Sequence, residues 1–105
     1  CPGLRNITIP DSITEIKRAT FANCISLTSI TIPDGVTSIG EYAFADCTSL
    51  ESVYCKPTTP PSGGYYMFDH NALGRKIYVP TESVEAYKWA EYWGDYANYI
   101  VGYDF

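Results

Sequence analysis

Apolar residues return to the same places along this chain every 23 residues. Leu4, Ile7, Ile9, Pro10, Ile13, Ile16, Phe21, Ala22 and Cys24 recur as Leu27, Ile30, Ile32, Pro33, Val36, Ile39, Phe44, Ala45 and Cys47, with polar residues between them. Cys1 fits one period before Cys24, and a third copy opens with Leu50, Val53 and Cys55. A period of this size signals stacked repeats, because so short a unit cannot enclose a core and must bury its apolar side against a neighbour. Within a unit, Ile30 and Ile32 alternate with Ser29 and Thr31, the periodicity of a strand. Pro33 lacks an N–H for the ladder and ends it, and Asp34-Gly35 reads as a turn. Val36 and Ile39 start a second apolar side. Ala43, Phe44 and Cys47 have the spacing of a short helical turn pointing inward.

The third unit is broken. Lys56 to Gly64 holds three prolines and two glycines in nine residues, which predicts irregular backbone where the second apolar side should be. One residue is inserted there, since Phe44 recurs as Phe68. One of Tyr65 and Tyr66 is expected to cover the resulting gap and the other to be exposed. Ile77-Tyr78-Val79 forms the last predicted strand, ended by Pro80. A helix is then predicted from about Glu82 to Trp93, with Thr81 as N-cap and Gly94 as stop. Its stripe Ala86, Trp89, Ala90 and Trp93 would cover the open end of the last coil. The five acidic residues of 81–105 against Lys88 supply a polar outer side.

These patterns predict an α/β fold: a right-handed solenoid of 23-residue coils with one parallel sheet and a C-terminal helical cap, in a single folded domain. Residues 1–80 are the coils: 1–3 the end of a preceding repeat, 4–26, 27–49, 50–73 as the degenerate copy with its Pro-rich loop, and 74–80 as the last strand. Residues 81–105 are the cap.

Two full repeats of the form L-x-x-I-x-I-P-D-x-V-x-x-I-x-x-x-A-F-x-x-C, a degenerate third, and the ending K-I-Y-V-P, S-V-E-A-Y-K, W-x-D-Y-A and I resemble the BspA-type leucine-rich repeat family over essentially the whole chain. The resemblance implies a leucine-rich-repeat solenoid closed by a cap whose apolar anchors match Trp93, Tyr96 and Ile100. It also implies a bacterial cell-surface or secreted protein that attaches to host proteins or to other cells. One departure matters: the buried slot after the strand holds cysteine rather than the asparagine of better-known leucine-rich repeats.

The 105 residues carry a net charge of −5, which argues against nucleic acid and anionic membrane surfaces as partners. Apolar runs are too short to span a bilayer. Cys1 falls in mid-repeat, so the chain reads as a piece of a longer one, its N-terminal edge open to further repeats or to self-association. Cys1, Cys24, Cys47 and Cys55 read as small apolar core residues, reduced, because stacked side chains point the same way. No pair has zinc-ligand spacing, and His70 is the one histidine. Asp69-His70-Asn71 reads as a polar turn ahead of a cation site. Neither a phosphate loop nor a nucleophile motif is present, so the expectation is no enzyme, no metal and no cofactor.

What remains is the outward face of the strands. One column runs Asn6, Ser29, Ser52, Lys76, and the other Thr8, Thr31, Tyr54, Tyr78. The second turns from threonine to tyrosine toward the C-terminus, and nine of the ten tyrosines lie in residues 51–105. Tyrosine supplies contact area at low entropic cost, so these columns, with Tyr65 and Tyr66, are the candidate partner-binding residues. The bland alternative is that the rings pack on one another or on the Pro-rich loop. A protein partner on a host or bacterial surface is expected. A glycan stacking on Tyr54, Tyr78, Tyr65, Tyr66 or Trp89 is the second reading, and a structural spacer the third.

Overall fold

The computed structural model describes residue 3 and residues 5–105, with Thr8 described by its backbone alone. Cys1 and Leu4, both part of the sequence register, lie outside them. The period of 23 fixes one strand per coil: β1 (Asn6–Thr8), β3 (Ser29–Ile32), β5 (Ser52–Cys55), β6 (Lys76–Pro80) and β7 (Ile100–Tyr103). They pair in that order, all parallel. Ile7, Ile30, Val53, Ile77 and Ile100 are in register across the sheet. From Ile30 onward these residues, with Ile32, Cys55 and Val79, form the inner face and are buried. The chain is thus an α/β repeat fold dominated by one parallel sheet.

Two further ladders join the coils. β2 (Glu15–Ile16) pairs in parallel with β4 (Ser38–Ile39), and Ser38 bridges Ser62 in the coil beyond. This second, two-stranded sheet was expected only as extended chain. The third ladder runs through the turns. Phe21 N–H reaches Ala43 O at 2.8 Å, and Phe44 N–H reaches Met67 O at 2.8 Å. Alternate residues bond within their own coil instead, as Ala45 N–H does to Tyr42 O at 3.1 Å.

That alternation corrects the expected helical turn. Ala43, Phe44 and Cys47 are buried, but the backbone around them is a run of tight turns. Ala19, Tyr42 and Tyr66 have φ of 56°, 57° and 56°, and Asn23, Asp46 and His70 have 63°, 59° and 55°. A right-handed helix cannot pass through left-handed residues. The turns instead hold Phe21, Phe44 and Phe68 in a stack, with centroids 5.3 and 5.5 Å apart and planes within 10°.

The C-terminal segment departs further from expectation. Thr81–Ser83 is a 3-10 turn without a side-chain cap, α1 spans only Val84–Trp89, and a second 3-10 stretch covers Trp93–Tyr99. Ala90 turns extended at φ −71° and ψ 145°, so the helix ends at Trp89, five residues before Gly94. The predicted stripe is therefore split: Trp93 is buried but Trp89 is 85% exposed. Tyr87, from the other side of the helix, is the ring that goes in. The gap in the broken repeat is filled by Met67 and Trp93, both fully buried, while Tyr65 and Tyr66 are both exposed. Cys47 and Cys55 are free thiols. Cys24 is disulfide-bonded, which corrects its reduced assignment. A disulfide spans Cα separations of about 4.4 to 6.8 Å, so stacking at strand spacing of about 4.8 Å does not forbid one.

Two glycines set how closely the coils approach. A Cβ on Gly40 would lie 2.4 Å from the backbone nitrogen of Arg18, and one on Gly64 would lie 2.4 Å from that of Glu41. Neither obstacle is a side chain that could swing aside. Gly40→Ala must push neighbouring coils apart, and a loss of about 2 kcal/mol or more is expected from forced overpacking, measured by urea unfolding. Gly35→Ala is the control, since its Cβ would meet backbone only at 3.4 Å.

Candidate binding surface

The exposed face of the main sheet carries the predicted columns in register. Asn6, Ser29, Ser52 and Lys76 are mutual neighbours, as are Thr8, Thr31, Tyr54 and Tyr78. Ser29 Oγ donates to Asn6 Oδ1 at 3.1 Å, so the first column is partly tied to itself. The Thr8 side chain lies outside the described residues. Thr31 and Lys76 are exposed. Tyr54 and Tyr78 are half-buried because their rings stack, with centroids 4.9 Å apart and planes at 14°. Such a pair adds about 0.5–1.5 kcal/mol beyond its buried area. These two rings therefore pack on each other while keeping part of their surface open.

A third ring joins them. Tyr103, on β7, sets its edge against Tyr54 at 5.5 Å and Tyr78 at 5.6 Å, and Phe105 lies 4.9 Å from Tyr103. Tyr103 and Phe105 are 44% and 51% exposed. Beside them opens a groove of about 500 Å³ whose walls include Asp34, Lys56, Glu82 and Asp104. Neither aromatic residue is among those predicted for binding. The signal was present: Ile77 plus 23 is Ile100, so the period runs on into a further strand.

Tyr65 and Tyr66 do not join this face. They lie on the third turn, where Tyr65 meets Tyr42 at 5.4 Å and Tyr92 at 6.4 Å, and Tyr66 meets Tyr42 at 5.6 Å. Asp69-His70-Asn71 does not converge either. His70 Nδ1 lies 3.1 Å from Asp46 and 3.2 Å from Asp69 on the surface, while Asn71 turns inward. Among the described residues no cluster of three or more His, Cys, Asp or Glu could hold a metal ion, and no helix is long and apolar enough to cross a membrane.

Asn71 occupies the slot that cysteine fills in the preceding coil. Cys47 Sγ donates to Phe21 O at 3.1 Å, and Asn71 Nδ2 donates to Phe44 O at 2.9 Å, one coil on. Both satisfy the carbonyl of the stacked phenylalanine. The asparagine missing from the other coils is thus present in the last one.

The Pro-rich loop that borders the groove is fixed by side chains of the C-terminal segment. Tyr87 Oη donates to Pro57 O at 2.5 Å, Ser83 Oγ to Thr58 O at 2.7 Å, and Trp93 Nε1 to Pro61 O at 2.8 Å. In the preceding coil the corresponding carbonyl, Thr37 O, receives a backbone N–H from Ser62. The Tyr96 hydroxyl likewise accepts from Phe68 N at 3.2 Å, where Met67 O accepts from Phe44. Tyr96 also stacks near the buried Arg75, whose guanidinium lies 4.8 Å from its ring. Burial holds the Arg75 pKa below its usual value. It pushes Tyr87 up, with Cys55 adding to the rise. It pushes the Cys55 thiol up to about 12, while the hydrogen bond that the thiol shares with the Tyr87 hydroxyl at 3.3 Å opposes the rise.

Residues 1–90 match a family model described as "BspA type Leucine rich repeat region (6 copies)". No curated protein matches the chain.

Two results are expected from the Tyr87 contacts. Tyr87→Phe leaves Pro57 O without its donor and should cost about 1–3 kcal/mol, read by urea unfolding. Secondly, an unfolded Cys55 ionises near the ordinary thiol value of 9.0, whereas the folded thiol keeps its proton to about 12. The folded chain then binds one proton more than the unfolded chain between these values. The stabilisation is complete below pH 9 and lost as pH rises toward 12, at up to about 1.4 kcal/mol per pH unit. Cys55→Ala should flatten that slope, and an unchanged slope would assign it elsewhere.

Proposed function

The chain belongs to the BspA-type leucine-rich repeat family, and from that premise we propose that it is a non-enzymatic recognition segment of a surface-exposed or secreted bacterial protein. It binds a protein partner, of the host or of another bacterium, through the exposed face of its five-stranded sheet. The observation that supports this reading is the continuity of the face. Small polar residues of β1 and β3 lead into the joined rings of Tyr54, Tyr78 and Tyr103 beside an open groove. Tyrosine rings at the β5–β7 end of a polar face have the aromatic enrichment of binding hot spots.

In this reading the coils form a right-handed solenoid, the hand that parallel crossovers nearly always take. Residues 81–105 are its cap, because their side chains meet groups that another coil would otherwise meet. The other end supports self-association. β1 is an edge strand, and Ile7, Ile9, Ile13, Ile16 and Phe21 line an apolar cleft of about 400 Å³ beside it.

The test is surface-binding measurement against immobilised matrix proteins and bacterial surface extracts. At least one protein should bind, and Tyr54→Ser with Tyr78→Ser should weaken it at least about tenfold, with the circular dichroism unchanged. Equal binding by the double variant, or none by the folded parent, would contradict the proposal. Light scattering at rising concentration should show a dimer, and a strict monomer would remove self-association.

A further inference from the structure

We infer that a second face, the tyrosine cluster of turns 41–46 and 65–70 with the groove beside it, binds a neutral glycan chain. The turns hold two columns of left-handed residues, one step per coil. One column is filled by Asn23, Asp46 and His70, the residue types that enter this conformation most readily. The other holds Ala19, Tyr42 and Tyr66, and Tyr92 also has a positive φ of 67°, with ψ −32°. A bulky side chain there carries a conformational penalty that asparagine or glycine would lessen.

All three strained tyrosines belong to one ring cluster, joined through Tyr65 at centroid distances of 5.4, 5.6 and 6.4 Å. Burial does not repay the strain at Tyr66, which is 53% exposed, whereas Tyr42 and Tyr92 are half-buried and Tyr92 packs against the core. The neighbouring column uses tolerant residues for the same geometry. A strained ring left exposed at the rim of such a cluster points to a surface kept for binding rather than for folding.

The adjoining groove defines the ligand. It has a volume of about 360 Å³ and crosses three successive coils, lined at corresponding positions by Lys17, Gly40 and Gly63 with Gly64. Ser38 and Ser62 offer hydroxyls. Its charges cancel: Glu15 and Glu41 face Lys17 and Arg18, and Arg18 lies 3.8 Å from Glu41. The Glu41 carboxylate, which lines the groove, raises the Tyr65 pKa and so links cluster to groove. Balanced charge gives no attraction for a phosphate or a polyanion. A pyranose has an apolar C–H face for the rings and a hydroxyl rim for donors and acceptors of both kinds. A groove spanning coils suits a chain of sugars rather than one. A proline-rich peptide would use the rings, but on desolvating the groove walls it would leave their polar groups without partners.

This face is separate from the sheet, so either reading can fail without the other. The experiment is calorimetric titration of the full chain with β-linked tetrasaccharides of glucose, of N-acetylglucosamine and of galactose. Heparin and a proline-rich decapeptide serve as comparators. At least one neutral tetrasaccharide should bind. Tyr66→Asn should weaken it about tenfold, while its melting temperature stays at or above the parent's, because asparagine enters the left-handed conformation more readily. Tyr66→Phe should bind as the parent does. The inference is overturned if the folded parent binds none of the three, if only heparin or the peptide binds, or if Tyr66→Asn binds unchanged. A clear fall in the melting temperature of Tyr66→Asn would also overturn it, by making the ring a folding element.

Discussion

Hydrogen bonding from each coil to the next is the constraint on which this structure depends. A unit of 23 residues has little interior of its own, and its backbone groups find partners mainly one period away. The strands satisfy theirs in the main sheet. The turns do the same, which explains their conformation. For Phe21 and Phe44 to donate outward while Ala22 and Ala45 donate inward, the backbone turns left-handed at both ends of each turn, at Ala19 and Asn23 and at Tyr42 and Asp46. The left-handed positions, the phenylalanine stack and the close-packed glycines all follow from keeping three ladders in one register. A buried peptide group without a partner is costly, so the period cannot drift in one ladder and hold in the others.

The broken repeat is then intelligible. The inserted residue and the prolines of 56–64 remove part of one ladder, and the C-terminal segment meets the exposed carbonyls with side chains. Ser83, Tyr87 and Trp93 donate where a coil would offer N–H groups, and Tyr96 accepts where a coil would offer a carbonyl. The same economy appears in Cys47 and Asn71, two different donors serving equivalent phenylalanine carbonyls. Because Pro57 and Thr58 also border the groove at Tyr103, these interior hydrogen bonds shape the exposed surface.

The strand register and both outward columns were legible in the sequence, since alternation and period fix them together. The stacked pair Tyr54 and Tyr78 follows from the same count. β7 was hidden because α1 and the 3-10 stretch precede it, though Ile100 keeps the step of 23 from Ile77. Tyr103 was missed with it. The placement of Tyr65 and Tyr66 was not legible, because nothing in their identity announces a left-handed neighbour or a Met67 side chain already filling the space below. Trp89 and Tyr87 exchanged roles for a similar reason: the helix ends at an extended Ala90 that no proline or glycine marks. The Cys24 disulfide was misjudged by treating a preference of stacked side chains as a prohibition.

The most direct measurement is residue-resolved amide hydrogen exchange by NMR. If the turns are ladders, the amides of Phe21, Tyr42, Phe44 and Asp46 should exchange as slowly as those of Ile30 and Val53 in the sheet, because opening any of them separates two coils. Exchange of these turn amides at the rate of free loops, with the sheet amides still protected, would contradict the account and leave the main sheet alone holding the coils together.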